Sequence, residues 1–266
     1  WMHIAPEAQR FWKEKLLRTE LNRLQEPDIE QKIQSLRSGA PFESRIRSRL
    51  HRRGPAFGTM ATRSHEVIPL KTCKVLAPPL EAFALDVAQA LAGAPRSDAD
   101  VELYVDIEGT RGASIEVLRR GDDGRVWKRL IDELEITAWS LKGHRGRSLG
   151  GRGELVEQTL DERLHFAPAL FVQVNREMNQ QLLEEVVDVS GAGDRFIELY
   201  AGVGNFTIHL AKSHERGLVA ESSPKAKPFT GRNLEEASST SEVEVVTATD
   251  AEIVDRLISE PRADLF

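Results

Sequence analysis

The residues from Phe196 to Phe206 have the types and spacing of a site that binds an adenosine-containing cofactor. An apolar run that includes Glu198 leads into Gly202 and Gly204, and a helical pattern follows. Glycines let the backbone pass close to a ligand, and the first turn of a helix offers N–H groups that have no partner within the helix. Two classes of cofactor use this arrangement, dinucleotides and S-adenosylmethionine.

The residue three positions after the second glycine distinguishes these two classes. The dinucleotide fingerprint has a third glycine there, close to the pyrophosphate. This chain has Thr207 instead. An acidic residue followed by Gly-x-Gly, without the third glycine, resembles the first motif of class I methyltransferases, which have no pyrophosphate to bind. A nicotinamide-dependent oxidoreductase remains an alternative, and titration with both cofactors would decide between them.

Two carboxylates follow the next two predicted strands. Glu221 ends the strand predicted over residues 218–221, where a carboxylate can accept hydrogen bonds from both ribose hydroxyls. Asp250 follows the strand predicted over 243–247, where a side chain can meet the adenine amino group. Each residue also has an ordinary explanation, because Glu221 can be a surface residue and Asp250 can cap a helix. Taken together, at the ends of successive strands, they favour a ligand site.

Alternating strands and helices would position these residues. The pattern predicts helices over 175–189, 206–212, 224–237 and 250–258, and strands over 195–200, 218–221, 243–247 and, just opening, 264–266. Such alternation is typical of a doubly wound parallel sheet with right-handed crossovers. The sheet has fewer strands than this fold needs, so we expect the chain to end within the domain.

The residues up to about Leu164 predict a second, α+β domain that is rich in strands. Its predicted elements are amphipathic helices within 6–36, strands over 44–50 and within 56–70, a helix over 80–92, strands over 101–107 and 113–118, a helix or strand over 130–141, and a Gly/Arg loop over 143–153. The fold class is therefore α/β. We expect one domain over residues 1–165 and a second, incomplete domain over 166–266.

Composition bounds the class of protein. A hydrophobic content of 40% with 29% charged residues is typical of a soluble globular chain. No apolar run has the length of a membrane span, and the start of the chain does not have the pattern of a secretory leader. The single cysteine, Cys73, excludes an internal disulfide and favours a reducing, cytoplasmic setting.

The net charge of −6 does not predict nucleic-acid binding, but arginines are concentrated in two stretches. The first stretch carries Arg45, Arg47, Arg49, Arg52 and Arg53, and the second carries Arg145, Arg147 and Arg152 between glycines. Arginine can pair with phosphates in bidentate geometry, so the first stretch is a candidate RNA contact. A solvated face balanced by acidic neighbours would explain the same charges.

Two motifs together resemble the RNA uracil-5-methyltransferase family, which modifies 23S rRNA or tRNA. They are Phe171-x-Gln173-x-Asn175 and the run Glu-Leu-Tyr-Ala-Gly-Val-Gly-Asn-Phe-Thr that begins at Glu198. The resemblance covers nearly the whole chain, most securely residues 45–233. It implies a Rossmann-like domain that binds S-adenosylmethionine and a parent enzyme that methylates C5 of uridine in RNA. The positions that match cofactor contacts, with the two glycines of the turn, are Gln173, Tyr200, Gly202, Gly204, Asn205, Glu221 and Asp250.

Cys73 has two interpretations that involve chemistry. Uracil C5 methylation needs a thiolate that attacks C6, but the family's nucleophile lies further along the chain. By the resemblance, Cys73 matches the last of four cysteines that hold a [4Fe–4S] cluster in many members, which favours 23S rRNA over tRNA as the substrate. One thiolate cannot hold a cubane cluster, so we expect a cluster in a longer parent and not in this chain. A lone cysteine is also often a small buried hydrophobe.

The resemblance further implies that parts of the parent are missing. Three cluster cysteines would precede Trp1, and the Asp-Pro-Pro-Arg-type loop, the nucleophilic cysteine and the general-base glutamate would follow Phe266. We therefore expect a segment of a longer enzyme that contains no catalytic residue. The alternative is a non-catalytic module that binds RNA or the cofactor and never had the second half.

Overall fold

The computed structural model describes residues 4–23 and 37–259. The elements up to residue 166 are α1 Pro6–Asn22, β1 Arg47–Arg53, β2 Ala56–Met60, β3 Val67–Pro69, α2 Pro78–Ala90, β4 Ala99–Val105, β5 Arg111–Val117, α3 Arg125–Glu133, β6 Ala138–Lys142, β7 Ser148–Arg152, β8 Leu155–Thr159 and β9 Glu162–Phe166. Those that follow are α4 Arg176–Ser190, β10 Gly193–Leu199, α5 Thr207–Leu210, β11 His214–Glu221, α6 Lys227–Glu236, β12 Glu242–Thr247 and α7 Asp250–Ser259.

The first half is a seven-stranded sheet with two helices packed against it. The strand order is β3-β2-β1-β4-β5-β6-β7, and all neighbouring pairs are antiparallel except β5 and β6. Buried apolar residues of α2 and α3, including Phe83 and Trp127, form one core with the inner faces of β4 and β5. Two prolines open α2, where the missing N–H groups would have no helical partner in any case.

The second half is a parallel sheet in the order β10-β11-β12. In one apolar cluster, α4, α5 and α6 pack against Phe196 and Val219 of the sheet. In another, Ile253 of α7 packs against Leu218 and Ala220. Because neighbouring residues on β11 contact different helices, the sheet is covered on both faces. This confirms the α/β class and the doubly wound pattern predicted from the sequence.

A hairpin made by β8 and β9 lies between the two halves. Phe166, at its end, shares a buried cluster with Tyr104 of the first sheet and with Val203 and Ile208 of the second half. The buried Asn233 of α6 bonds the backbone of the hairpin in both directions, since it accepts from His165 N–H and donates to His165 C=O. The division into domains at residue 165 stays a prediction, and apolar packing is continuous across it.

Three stretches differ from the sequence prediction. The ambiguous stretch 130–141 contains both the end of α3 and the start of β6, and Glu135 turns the chain between them with a φ of 50°. The stretch 143–153, predicted as a loop, contains β7, because pairing with β6 overrides the low strand propensity of its glycines. Pro228, expected inside a helix that it would bend, lies in the first turn of α6, where it is tolerated. The predicted strand 264–266 and helical residues 24–36 lie outside the described residues.

None of the helices in the described part of the chain combines the length and apolar character that crossing a membrane needs.

Candidate cofactor-binding site

The turn after β10 has backbone conformations that favour glycine. Tyr200, Gly202 and Gly204 all have positive φ, at 58°, 60° and 96°. A Cβ at Gly204 would lie 3.3 Å from Cγ2 of Thr230, so that the turn can pack directly on α6. Tyr200 is a non-glycine residue in the left-handed region, which costs roughly 1 kcal/mol, and its side chain is 73% exposed. Strain of this kind is concentrated at ligand sites.

Two buried polar residues of α6 hold this turn in place, and neither belongs to the motifs recognised in the sequence. The Thr230 hydroxyl donates to Gly202 C=O at 3.0 Å, and Asn233 Nδ2 donates to Val203 C=O at 2.8 Å. Both side chains are fully buried. Their spacing of one helical turn on the inner face of α6 is the signal that would have identified them.

Glu221 lies against the glycine turn at the end of β11. Its Oε2 accepts from the N–H of Gly202 at 2.9 Å, and its Oε1 accepts from the N–H of Ser223 at 2.7 Å. Oε1 also accepts from the Ser222 hydroxyl at 3.3 Å. A carboxylate has about four acceptor positions, so Oε2 keeps capacity for a hydroxyl donor. The structure therefore joins Glu221 and Gly202, two of the predicted cofactor contacts, by a direct hydrogen bond.

A cleft opens where the three parallel strands end. It is lined by Leu199, Tyr200, Ala220, Ser222, Ala248 and Thr249. This edge is where open α/β sheets bind their ligands. Asp250 begins α7 beside the cleft, but its side chain lies outside what is described. Thr249 and Glu252 form the capping box of this helix, with the Thr249 N–H donating to Glu252 at 2.7 Å, so the capping role considered for Asp250 falls to Thr249.

The segment that carries the Phe-x-Gln-x-Asn motif runs beside the glycine turn. A Cβ built on Gly202 would lie 3.9 Å from the carbonyl oxygen of Phe171. Val174 C=O accepts from Ile46 N–H at 3.0 Å, and Asn175 caps α4 by accepting from Met178 N–H. Gln173 lies between these anchored positions and is partly buried. The structure therefore brings the two motifs of the resemblance together.

Asn205 uses its side chain within the protein. It exchanges two hydrogen bonds of 2.9 Å with Asn179, a buried residue of α4. The pair fixes the end of the glycine turn to the helix that follows the Gln173 segment. The cofactor role predicted for Asn205 therefore stays a prediction, and its side chain has a structural role as well.

Glu198 and Thr207 form a buried pair under the turn. The Thr207 hydroxyl donates to Oε2 of Glu198 at 2.6 Å, and Oε1 of Glu198 is buried with no hydrogen-bond partner among the residues that the structure describes. Burial raises the pKa of Glu198 to about 7, and the bond from Thr207 opposes that rise. Thr207 is fully buried at the position where a dinucleotide site has glycine, which gives its hydroxyl a role that glycine lacks.

The arginines of the predicted RNA-contacting stretch are largely neutralised. Arg47 pairs with Glu102 at 2.5 Å, whereas Arg49 and Arg53 both pair with Asp100, at 3.1 and 2.6 Å. These carboxylates lie on β4, which pairs with β1 along its whole length. The alternative interpretation of this stretch, a face balanced by acidic neighbours, therefore fits Arg47, Arg49 and Arg53. Arg45 and Arg49 are the members whose side chains are exposed.

Of the five arginines predicted to contact RNA, Arg52 is the least accessible. Its side chain is 1% exposed and lies 5.9 Å from the ring centre of Trp127. Nη2 donates to Ala94 C=O at 3.0 Å, while Nε and Nη1 are buried and have no hydrogen-bond partner within residues 4–23 and 37–259. Burial lowers the pKa of Arg52. A phosphate cannot reach this side chain, because strand alternation directs it into the core.

Cys73 is a free thiol that packs, half-buried, against the core of the first half. Its N–H donates to Glu81 at 2.6 Å. Within residues 4–23 and 37–259, no group of three or more His, Cys, Asp or Glu side chains is arranged to hold a metal ion. The side chains in these ranges do not fit an iron–sulfur cluster.

Sequence comparisons confirm the resemblance to RNA uracil-5-methyltransferases. Residues 154–262 match the family model described as tRNA (Uracil-5-)-methyltransferase. The chain is 27% identical over 242 residues to the 23S rRNA (uracil(1939)-C(5))-methyltransferase RlmD of Shewanella piezotolerans, and 30% identical over 240 residues to that of Shewanella woodyi. Each match covers 84% of this chain and 53% of the relative. The chain thus spans about half the length of these relatives.

A solved structure supports the fold. The tRNA (uracil-54, C5)-methyltransferase of Pyrococcus abyssi, in complex with S-adenosyl-L-homocysteine, superposes with a TM-score of 0.63 at 17% identity. The superposition covers 79% of this chain and 57% of that protein. This chain therefore shares its fold with that protein over most of the described residues.

Proposed function

We propose that this chain, which is similar to RNA uracil-5-methyltransferases over most of its length, forms the S-adenosylmethionine site of an enzyme that methylates C5 of uridine in RNA. The observation that carries the proposal is the hydrogen bond between Glu221 and Gly202 at the open ends of the parallel strands. It holds the Glu221 carboxylate directly beside the glycine turn, where this group would accept from the ribose. The cofactor would supply the methyl group as an electrophilic sulfonium.

Each predicted contact has a separate task in this proposal. Glu221 would accept from the ribose hydroxyls, and Asp250 would meet the adenine amino group. Tyr200, exposed at the lip of the cleft, offers a ring face to the cofactor. Gly202 and Gly204 let the backbone approach, while Gln173 and Asn205 border the turn from the side of α4.

A 23S rRNA substrate is favoured, because the curated relatives from Shewanella that the chain matches are named as 23S rRNA enzymes. RNA modification of this kind implies a cytoplasmic setting. A uridine methylated at C5 has to be presented outside the base stack. The exposed candidates for phosphate contact are Arg45, which precedes β1, and Arg49 of β1, which would exchange its pairing with Asp100 for a phosphate.

The catalytic thiol is assigned to no residue of this chain. Cys73 packs in the first half and is absent from the residues that line the cleft. The proposal that Cys73 ligates a [4Fe–4S] cluster concerns a longer parent with three more cysteines. To test it, the parent and its Cys73→Ser variant would be expressed with iron, and the absorbance and iron content of the two proteins would be compared.

Calorimetric titration with S-adenosylhomocysteine tests the cofactor site. We expect the chain to bind this ligand, and Glu221→Gln to weaken binding at least tenfold, because the substitution removes a charge-assisted acceptor. Glu215→Gln is the matched control, since Glu215 is exposed at the other end of β11. Equal affinity in both variants would refute the assignment. Binding of NADH in place of S-adenosylhomocysteine would support the oxidoreductase alternative, and RNA binding without either cofactor would support the non-catalytic module.

A further inference from the structure

Two adjacent turns at one end of the first sheet carry arginines without acidic partners. Arg119 and Arg120 follow β5, and Arg145 and Arg147 lie on the turn between β6 and β7. All four side chains are exposed, and none forms an ion pair within the described part of the chain. We call these four residues the arginine tip. They contrast with Arg47, Arg49 and Arg53, which carboxylates of β4 neutralise.

Backbone and side-chain contacts join the two turns into one surface. The Nδ1 atom of His144 lies 2.8 Å from Leu118 C=O, which fixes one turn on the other. The N–H of Gly143 donates to Arg147 C=O at 2.7 Å and closes the second turn. Arg145 has a φ of 59°, in the left-handed region.

The acidic residues nearest in sequence have other partners. Asp122 accepts from the N–H of Gly124 at 2.9 Å, and Asp123 pairs with Arg125 at 2.5 Å. Neither carboxylate therefore forms an ion pair with an arginine of the tip in the described part of the chain. Arg152, exposed at the other end of β7, extends the basic character along the edge of the sheet.

We propose that the arginine tip is a phosphate-binding surface that anchors the RNA substrate away from the modified uridine. This inference rests on the proposed function. Unpaired guanidinium groups on exposed turns suit phosphate oxygens, which they can bind in bidentate geometry. The chemistry that fits is the sugar–phosphate backbone of RNA, and base identity is not read there.

The position of the arginine tip within the first sheet determines which ligand it would contact. The β5 strand begins at Arg111, and a Cβ on the next residue, Gly112, would meet the side chain of Leu155 in the hairpin beside the second half. The tip lies at the opposite end of β5 and β6, about 17 Å away along five residues of strand. We therefore expect an RNA held at the tip to be contacted away from the hairpin that borders the second half. The tip contributes to affinity for RNA and not to affinity for the cofactor.

The test is the salt dependence of RNA binding by the 266-residue chain. It is measured by fluorescence anisotropy with a labelled RNA hairpin of about 30 nucleotides, whose stem is roughly one helical turn long. The variants are Arg119→Gln/Arg120→Gln and Arg145→Gln/Arg147→Gln. The control is Arg63→Gln/Arg216→Gln, which removes the same charge from exposed positions elsewhere. Removal of each phosphate contact should lower the slope of log K against log salt by about 0.7–0.9.

We expect each tip pair to bind RNA about tenfold or more weakly at 0.1 M salt, with a slope reduced by about 1–2, and the control to match the wild type. Wild-type slopes in both tip pairs, an equal weakening in the control, or no RNA binding by the wild type would overturn the inference. Titration with S-adenosylhomocysteine separates this inference from the proposed function. Tip variants should bind that ligand as the wild type does, whereas failure of the wild type to bind it would count against the cofactor site alone.

Discussion

The hydroxyl of Thr207 donates a 2.6 Å hydrogen bond to the carboxylate of Glu198, and both side chains are buried beneath the glycine turn. Glu198 is the last residue but one of β10, and Thr207 is the first residue of α5. The bond therefore spans the turn between the strand and the helix. It links the acidic residue of the motif to the residue that replaces the third glycine of a dinucleotide site. The departure from the dinucleotide pattern is therefore part of how this turn is held.

Thr207→Val tests that bond. The substitution keeps the shape of the side chain but leaves Glu198 buried with neither oxygen paired, which we expect to lower the free energy of unfolding by about 1–3 kcal/mol. Thr207→Ser keeps the hydroxyl and should be destabilised less. Urea denaturation of the three proteins measures the difference. Equal stability of the valine and serine variants would show that the bond contributes little.

The raised pKa of Glu198 predicts a specific pH dependence of stability. The folded pKa of about 7 lies above the ordinary value of 4.5, so the stability linked to this proton is fully present below about pH 4.5. It is lost as pH rises through 7. The wild type should lose on the order of 3 kcal/mol relative to Glu198→Gln across that window, at 1.36 kcal/mol per pKa unit.

Comparison of the two proteins isolates Glu198 from His209. Burial lowers the pKa of His209, so this residue destabilises the fold as pH falls below its unfolded value of about 6.5. Both proteins contain His209, and its effect cancels in the difference. Parallel stability curves from pH 4 to 8 would contradict the prediction for Glu198.

The strand, glycine turn and helix could be predicted because the residues that form them are neighbours in the sequence. Glu221 could also be placed, since the end of a parallel strand fixes its position relative to the turn. The pairing of Arg47 with Glu102 and of Arg49 with Asp100 could not. Both are diagonal contacts between β1 and β4, and they depend on a register between strands that are about fifty residues apart.

The burial of individual side chains also could not be predicted from the local sequence pattern. Arg52 belongs to a run of basic residues, yet strand alternation and the position of α3 place it against Trp127. The tip arginines, by contrast, gain their importance from lacking partners. That property depends on which N–H groups donate to Asp122 and Asp123, and only the folded turn determines this.

Tyr200→Ala should weaken binding of S-adenosylhomocysteine without loss of stability. The side chain is 73% exposed, so its removal costs little buried area. An aromatic contact worth about 0.5–1.5 kcal/mol corresponds, when removed, to a dissociation constant about 2- to 12-fold higher. Val189→Ala, at 76% exposure in the same half, is the control. Calorimetry gives the affinity and thermal denaturation the stability, and wild-type affinity for Tyr200→Ala would remove this residue from the site.

Arg176→Gln should strongly destabilise the junction between the two halves. Arg176, the first residue of α4, binds Glu157 of the hairpin through Nε at 2.6 Å and Nη2 at 2.7 Å, and it also donates to Val105 C=O at 3.0 Å. Glu157 is 5% exposed, and burial raises its pKa against the opposing effect of Arg176. Removing the guanidinium leaves a buried carboxylate unpaired, which costs about 3–5 kcal/mol.

The double variant Glu157→Gln/Arg176→Gln separates this charge effect from altered packing. If the cost arises from the unpaired carboxylate, the double variant should be more stable than Arg176→Gln alone, because no charge remains buried. Urea denaturation at a pH of about 7.5, where an ordinary carboxyl group is ionised, measures all three proteins and the wild type. Because α4 follows directly on the Gln173 segment, Arg176→Gln should also weaken binding of S-adenosylhomocysteine, and the double variant should recover part of it. A double variant no more stable than the single one would show that shape and hydrogen bonding, rather than charge pairing, hold the hairpin to α4.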